Sequence, residues 1–171
     1  MRIAILSDSH DQIPNLKQAV FLANSENAEL LLHCGDLISP FMLPCLDRFN
    51  GPVHLIYGNN PGDQHLIAAR CGTLFPRIHH HGTHGSFQVG TLRIALCHYP
   101  EQARDLAASG SFTLVCCGHD HIWAVEEVGD CLLINPGDLL GTDVNPAFAL
   151  LDTGDNSVRR IEVGRQLPQD D

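Results

Sequence analysis

The 171-residue chain is 44% hydrophobic and 18% charged, a balance that fits one globular domain and excludes a disordered chain. Ten Lys and Arg stand against twenty Asp and Glu, a formal net charge of −10. That balance excludes duplex nucleic acid and an anionic membrane surface as principal partners. No run is long enough to span a bilayer, and the apolar stretch of MRIAILSDSH is too short for a signal peptide. The seven Cys are odd in number, form no CxxC pair and sit mostly in apolar runs. They read as reduced packing residues of a cytoplasmic protein.

Strand-like and helix-like runs alternate through the first half. RIAIL (2–6) reads as a buried strand. Residues 13–27 follow as a helix, with Leu16, Ala19, Val20 and Ala23 at helical spacing and Pro14 near the start. ELLLHC (29–34) is a second strand. PFMLPCLDRF (40–49) is a short helix bent or started at Pro44. PVHLIYG (52–58) is a third strand, and QHLIAARC (64–71) a short helix. In the second half, residues 85–99 read as two strands joined by a turn at Val89-Gly90-Thr91. EQARDLAASG (101–110) is a helix closed by Gly110. Five strands follow, at 112–118, 123–128, 131–137, 148–153 and 157–163. A βαβ start and antiparallel hairpins at the end predict an α/β protein with two packed mixed sheets and outer helices. No repeat or linker divides the chain, so residues 1–165 form one domain and 166–171 a polar C-terminal tail.

Polar residues collect where these strands end. RIAIL runs into Ser7-Asp8-Ser9-His10, ELLLHC into Gly35-Asp36, and PVHLIY into Gly58-Asn59-Asn60. TLRIALC runs into His98, and FTLVCC into Gly118-His119-Asp120-His121. In open α/β sheets ligands bind beyond the carboxyl ends of the strands, so five segments are expected to meet at one crevice. Residues two apart in an extended chain point the same way, which would pair Asp8 with His10 and His119 with His121. Asp36 ends an apolar strand, and a buried carboxylate needs a counter-charge. With Asn59 and His98, seven oxygen or nitrogen donors are available, enough for two metal ions sharing one carboxylate. Each residue alone has an ordinary alternative: Asp36 as a helix cap, Asn59 as a turn residue, His98 as a structural histidine. Their joint occurrence in order at strand ends favours the metal reading.

The series Asp8-Ser9-His10, Gly35-Asp36, Gly58-Asn59, His98 and Gly118-His119-Asp120-His121 resembles the calcineurin-like metallophosphoesterase superfamily from residue 1 to about residue 140. INPG at 134–137 resembles its small, single-domain phosphodiesterase branch. The resemblance implies a four-layer α/β/β/α sandwich and a binuclear centre. Asp8, His10 and His121 would hold one metal, Asn59, His98 and His119 the other, and Asp36 would bridge. Manganese is favoured, with iron, zinc, nickel or magnesium as alternatives. The implied activity is a metal-dependent phosphodiesterase, with metal-bound hydroxide attacking phosphorus in line. Alternatives are a phosphomonoesterase or nucleotide pyrophosphatase and, in another class, a protein-interaction scaffold such as the retromer subunit of this fold. The expected partner is a small phosphoester, and self-association through the strand-rich second half stays open.

Three departures concern the substrate. Relatives that act on phosphoprotein carry His where this chain has Asn60, which cannot act as a general acid but can contact a phosphoryl oxygen. Tyr99 stands where many relatives have Gly, and would narrow the mouth or touch the leaving group. Asp138 after INPG adds negative charge near the substrate path. The run His79-His80-His81 is expected to be a solvated loop or strand face. Asp11 and Asn135 are expected to orient ligands or to serve turns.

Overall fold

The computed structural model describes residues 1–164; the tail expected at 166–171 lies outside them. Eleven strands and four α-helices are formed among the described residues. In chain order they are β1 (Arg2–Leu6), α1 (Ile13–Ser25), β2 (Leu30–His33), α2 (Leu43–Leu46), β3 (Val53–Leu55), α3 (Gln64–Arg70), β4 (Ile78–His80), β5 (Gly85–Val89), β6 (Leu92–Leu96), α4 (Pro100–Ala108), β7 (Leu114–Cys116), β8 (Trp123–Val128), β9 (Cys131–Pro136), β10 (Ala147–Asp152) and β11 (Ser157–Glu162). One sheet has six strands in the order β11-β10-β1-β2-β3-β4, and the other five in the order β5-β6-β7-β9-β8.

Strand alternation sorts the apolar side chains into three layers of core. Ile3, Ile5, Leu30 and Leu32 of the first sheet meet Ile94, Leu96, Leu114 and Ile134 of the second. Their neighbours Ala4, Leu6, Leu31 and Phe148 face outward onto Leu16, Val20, Leu43 and Ile67 of the helices. On the far side Ala95, Val115 and Leu133 pack against Ala103 and Ala107 of α4. Helices outside two facing sheets make the α/β/β/α sandwich that the sequence implies.

Strand direction decides where the polar residues go. β1, β2, β3 and β4 run parallel, as do β6, β7 and β9. The carboxyl ends of β1, β2, β3, β6 and β7 open on one edge of the sandwich. Several elements are shorter than their sequence patterns, because the chain leaves the ladder early to build that edge. The expected 40–49 helix is split into a 3₁₀ turn at Pro40–Met42 and α2. Pro44 has no N–H and sits in the first turn of α2, where none is needed.

The His79-His80-His81 run lies along the edge strand β4 and just past it. His54 of β3 lies 2.8 Å from His81, Nδ1 to Nε2, and both rings stack with Phe87 at centroid distances of 4.0 and 4.9 Å. His80 lies against Tyr57. Burial lowers His54 to about 4, helped by His81 and His79, and lowers His80 to about 4, helped by His81. Each ring stays neutral in the folded chain until pH nears 4, whereas the unfolded chain takes the proton near 6.5. Between those values unfolding takes up protons, so stability falls as pH falls. Urea midpoints measured from about pH 7 to about pH 4.5 are expected to drop, and to drop less steeply in His54→Phe.

Candidate metal centre

The loops after β1, β2, β3, β6 and β7 bring all seven expected donors to one place. Asp8, Asp36 and His98 are buried, at 0%, 2% and 3% exposure. His10 and His121 are half-buried, and Asn59 and His119 are exposed.

Asp8 is held through one oxygen. Its Oδ2 accepts from Ser7 Oγ at 2.5 Å and from the backbone N–H of His119 at 3.0 Å. Its Oδ1 is buried and receives no hydrogen bond. Around that oxygen lie His121 Nε2 at 3.4 Å, His10 Nε2 at 3.7 Å and His98 Nε2 at 4.0 Å. His10 Nε2 is likewise buried without a hydrogen bond. Burial alone would raise Asp8, but the His10 ring, Ser7 and the His119 N–H outweigh it and hold the carboxyl below its ordinary value. The same carboxylate raises His10, against burial and with help from Asp36.

Asp36 faces both ways. Its Oδ2 lies 3.5 Å from His10 Nε2, and its Oδ1 lies 3.7 Å from His98 Nε2. Asn60 fixes it there, donating its backbone N–H to Oδ1 at 2.8 Å and its side-chain amide to Oδ2 at 2.7 Å. Asn60 therefore meets Asp36 with one amide N–H; a second N–H and a carbonyl are the amide's remaining capacity for a ligand.

His98 is oriented from behind. Its Nδ1 lies 2.8 Å from the carbonyl of Cys34, which can only accept. The neutral ring then carries its proton on Nδ1 and turns the Nε2 lone pair toward Asn59 Oδ1, also at 2.8 Å. His119 Nδ1 approaches the same Oδ1 at 2.8 Å. Two lone pairs at that separation repel unless positive charge lies with them. The set fits divalent cations: imidazole nitrogens, carboxylate oxygens and an amide oxygen, with two buried atoms left unpartnered. Among the described residues the clustered groups are Asp8, His10 and His121, and Asp8, Asp36 and His98, each with ligand atoms within 4.8 Å of one another.

The backbone that achieves this differs from expectation. Asp8, His10, Asp36, His119 and His121 all have positive φ, between 40° and 76°. The Asp-x-His and His-x-His segments are left-handed turns rather than extended chain, so their side chains converge by turning and not by strand alternation. Each such residue costs on the order of 1–3 kcal/mol, and strain of this kind collects at functional sites.

Supporting residues fill the surroundings. Tyr99 packs edge-on against His98 and His119, with ring centroids 5.4 and 4.6 Å away. Asn135 donates to the Gly118 carbonyl and to Asp120 Oδ1, ordering the loop that carries both histidines. Asp11 caps Ser39 through both of its oxygens. Sequence reading passed over Ser7, which has no signal beyond preceding Asp8, and the Cys34 carbonyl, which has none. Asp138 is buried, with Oδ2 3.8 Å from His121 Nδ1.

The described fold and the residues at its edge define a phosphoesterase: residues 1–156 match the family model for the calcineurin-like phosphoesterase superfamily domain, and the chain belongs to that superfamily of metal-dependent enzymes. It is 32% identical over 168 residues to the phosphodiesterase MJ0936 of Methanocaldococcus jannaschii, covering 94% of this chain and 98% of that relative. A solved archaeal phosphodiesterase superimposes with a TM-score of 0.87 at 32% identity, covering 95% of this chain and 99% of the other. Zinc-complexed Vps29 from Entamoeba histolytica, at 21% identity, TM-score 0.68 and coverage of 96% and 100%, shares the fold.

Gly58 leaves the room that Asp36 occupies: a Cβ there would collide with Asp36 Oδ1 and its carboxyl carbon. Gly58→Ala is therefore expected to keep the circular dichroism spectrum but to weaken divalent-metal binding, measured by calorimetry, by about 10- to 100-fold. Asn60→Ala, which frees the Asp36 carboxylate to turn, is expected to weaken it less.

Proposed function

We propose that the protein is a phosphodiesterase working through two divalent cations, manganese foremost. The observation that carries this is the buried, unpartnered Asp8 Oδ1 ringed by three histidine nitrogens, an arrangement that a bound divalent cation would make favourable. Asp8, His10 and His121 would hold one ion and Asn59, His98 and His119 the other. Asp36, with one oxygen toward each of His10 and His98, would stand between them. When bound, such ions supply a water of lowered pKa as nucleophile and positive charge for phosphoryl oxygens.

The chain's own residues then set the reaction's limits. Ser7 and Asn60 keep the two carboxylates from rotating, and the Cys34 carbonyl keeps the His98 lone pair forward. Asn60 cannot give a proton to a departing alkoxide. An alcohol of low pKa leaves without that help, which favours diesters and activated esters over alkyl monoesters. The net charge of −10 is no obstacle, because attraction for phosphate is confined to the ions. The reading of residues 1–165 as one domain is supported by sheet contacts continuing through β11. A cytoplasmic location is supported by seven free cysteines. No helix among the described residues is long and apolar enough to cross a membrane.

Manganese-loaded protein is expected to hydrolyse bis(4-nitrophenyl) phosphate faster than 4-nitrophenyl phosphate, which shares its leaving group. Asp36→Asn and His98→Ala should each lower kcat/KM for the diester by about 100- to 1000-fold. Turnover equal to wild type in both variants would mean that a contaminant does the chemistry, and a faster monoester would move the reading to a phosphomonoesterase.

A further inference from the structure

Beside His121 the surface opens into a groove of about 730 Å³. Its lining includes His121, Ile122, Trp123, Val144, Arg160 and Glu162, with the buried Asp138 beside His121. Because His121 Nε2 is also 3.4 Å from Asp8 Oδ1, the groove begins at the candidate metal centre. A phosphorus bound at the centre would point one ester substituent along it.

The lining indicates what that substituent is. Ile122 and Val144 are 62% and 53% exposed, large apolar side chains beside a polar site. The groove's one guanidinium is already engaged: Arg160 donates to Glu162 Oε1 at 2.7 Å and to the carbonyl of Asn145 at 2.8 Å. The other formal charges on the lining are the carboxylates of Asp138 and Glu162. An anionic substituent would meet two carboxylates and an arginine that has partners. A neutral, flat, apolar group would meet Ile122, Trp123 and Val144 and lose no polar contact with water that it needs.

We propose that this groove is the subsite for a neutral, aryl-like ester substituent, so that the substrate class is phosphoesters of apolar aromatic alcohols rather than nucleoside polyphosphates or esters bearing a second acid group. The proposal rests on the metal-dependent phosphoesterase reading above. Ile122 and Val144 are specificity-determining residues in it, while the phosphoryl group itself is held elsewhere.

The test uses manganese-loaded full-length protein and three phosphonates: methyl, phenyl and 4-carboxyphenyl. Binding is followed by calorimetry and by emission of Trp123, the chain's single tryptophan. Phenylphosphonate is expected to bind about tenfold more tightly than methylphosphonate and to shift the Trp123 emission. The 4-carboxyphenyl compound should lose most of that advantage. In Val144→Ser and in Ile122→Ser, both exposed positions, the phenyl-to-methyl affinity ratio should fall toward one. A misfolded variant would lower both affinities together and leave the ratio standing, so the ratio separates specificity from stability. Equal affinities in the wild type, or a phenyl preference that both variants keep while methylphosphonate binds as in the wild type, overturn the subsite alone. Failure of all three phosphonates to bind overturns the two-cation phosphodiesterase reading along with it.

Discussion

Two carboxylates buried at the edge of a sandwich govern this structure. Asp8 and Asp36 are almost fully removed from water, and among the described residues neither is paired with a lysine or arginine. Their neighbours are histidine rings, an asparagine and backbone N–H groups. Such neighbours ease a buried negative charge without cancelling it, and a buried carboxylate whose charge is left uncompensated is expensive. A divalent cation held beside the carboxylates would reverse the sign of that cost. The same repulsion that opposes the fold becomes the affinity that binds the ion, which is how metal binding and folding come to be linked.

Holding the donors in place requires a backbone that does not relax. Five of the seven sit at left-handed φ values, and none of the five is glycine. Loops free to move would leave that region. Bonds to neighbouring segments hold these turns: His10 N–H to the Asp36 carbonyl, Asn60 to Asp36, His119 N–H to Asp8 and Asn135 to the Gly118 carbonyl. The strain and its restraints together keep ligand atoms near their working positions before any ion arrives, which lowers the reorganisation that binding demands. Two bonds bridge the sheets: the second-sheet loops of His98 and His119 are tied to Cys34 and Asp8 at the ends of β2 and β1. The packing of one sheet on the other therefore sets the spacing of the site.

Local chemistry and global charge pull apart here. An acidic protein attracts phosphoesters only where cations concentrate, so the reacting phosphorus is confined to one spot and the rest of the surface repels anions. Around that spot the two flanks differ. Tyr99 and the paired rings of His98 and His119 form a packed aromatic wall on one side. On the other, the surface beyond His121 is open, with exposed Ile122 and Val144 and an Arg160 already paired with Glu162. The two flanks give the site a direction, and direction is what separates one ester from another.

Much of this was legible in the chain itself. The α/β alternation, the extents of β1, α1 and β8 to within a residue or two, and which polar residues gather at one edge follow from hydrophobic periodicity and from polar residues placed where apolar runs stop. Those signals are local, and they survive because each is set by the residue and its near neighbours. What the sequence could not carry is what depends on two segments meeting. That the Asp-x-His and His-x-His turns are left-handed depends on the bonds that restrain them from distant strands. That Asn60 grips Asp36 depends on β2 and β3 lying side by side; that the Cys34 carbonyl sets the tautomer of His98, and that Ile122 and Val144 flank a groove beginning at His121, depend on the sheets being stacked. A carbonyl has no sequence signature, and an exposed valine in a loop looks like any other until its neighbours are known. The sequence by itself determined which atoms could bind metal; the tertiary structure alone decided which of them face one another, because that depends on distances no linear spacing encodes.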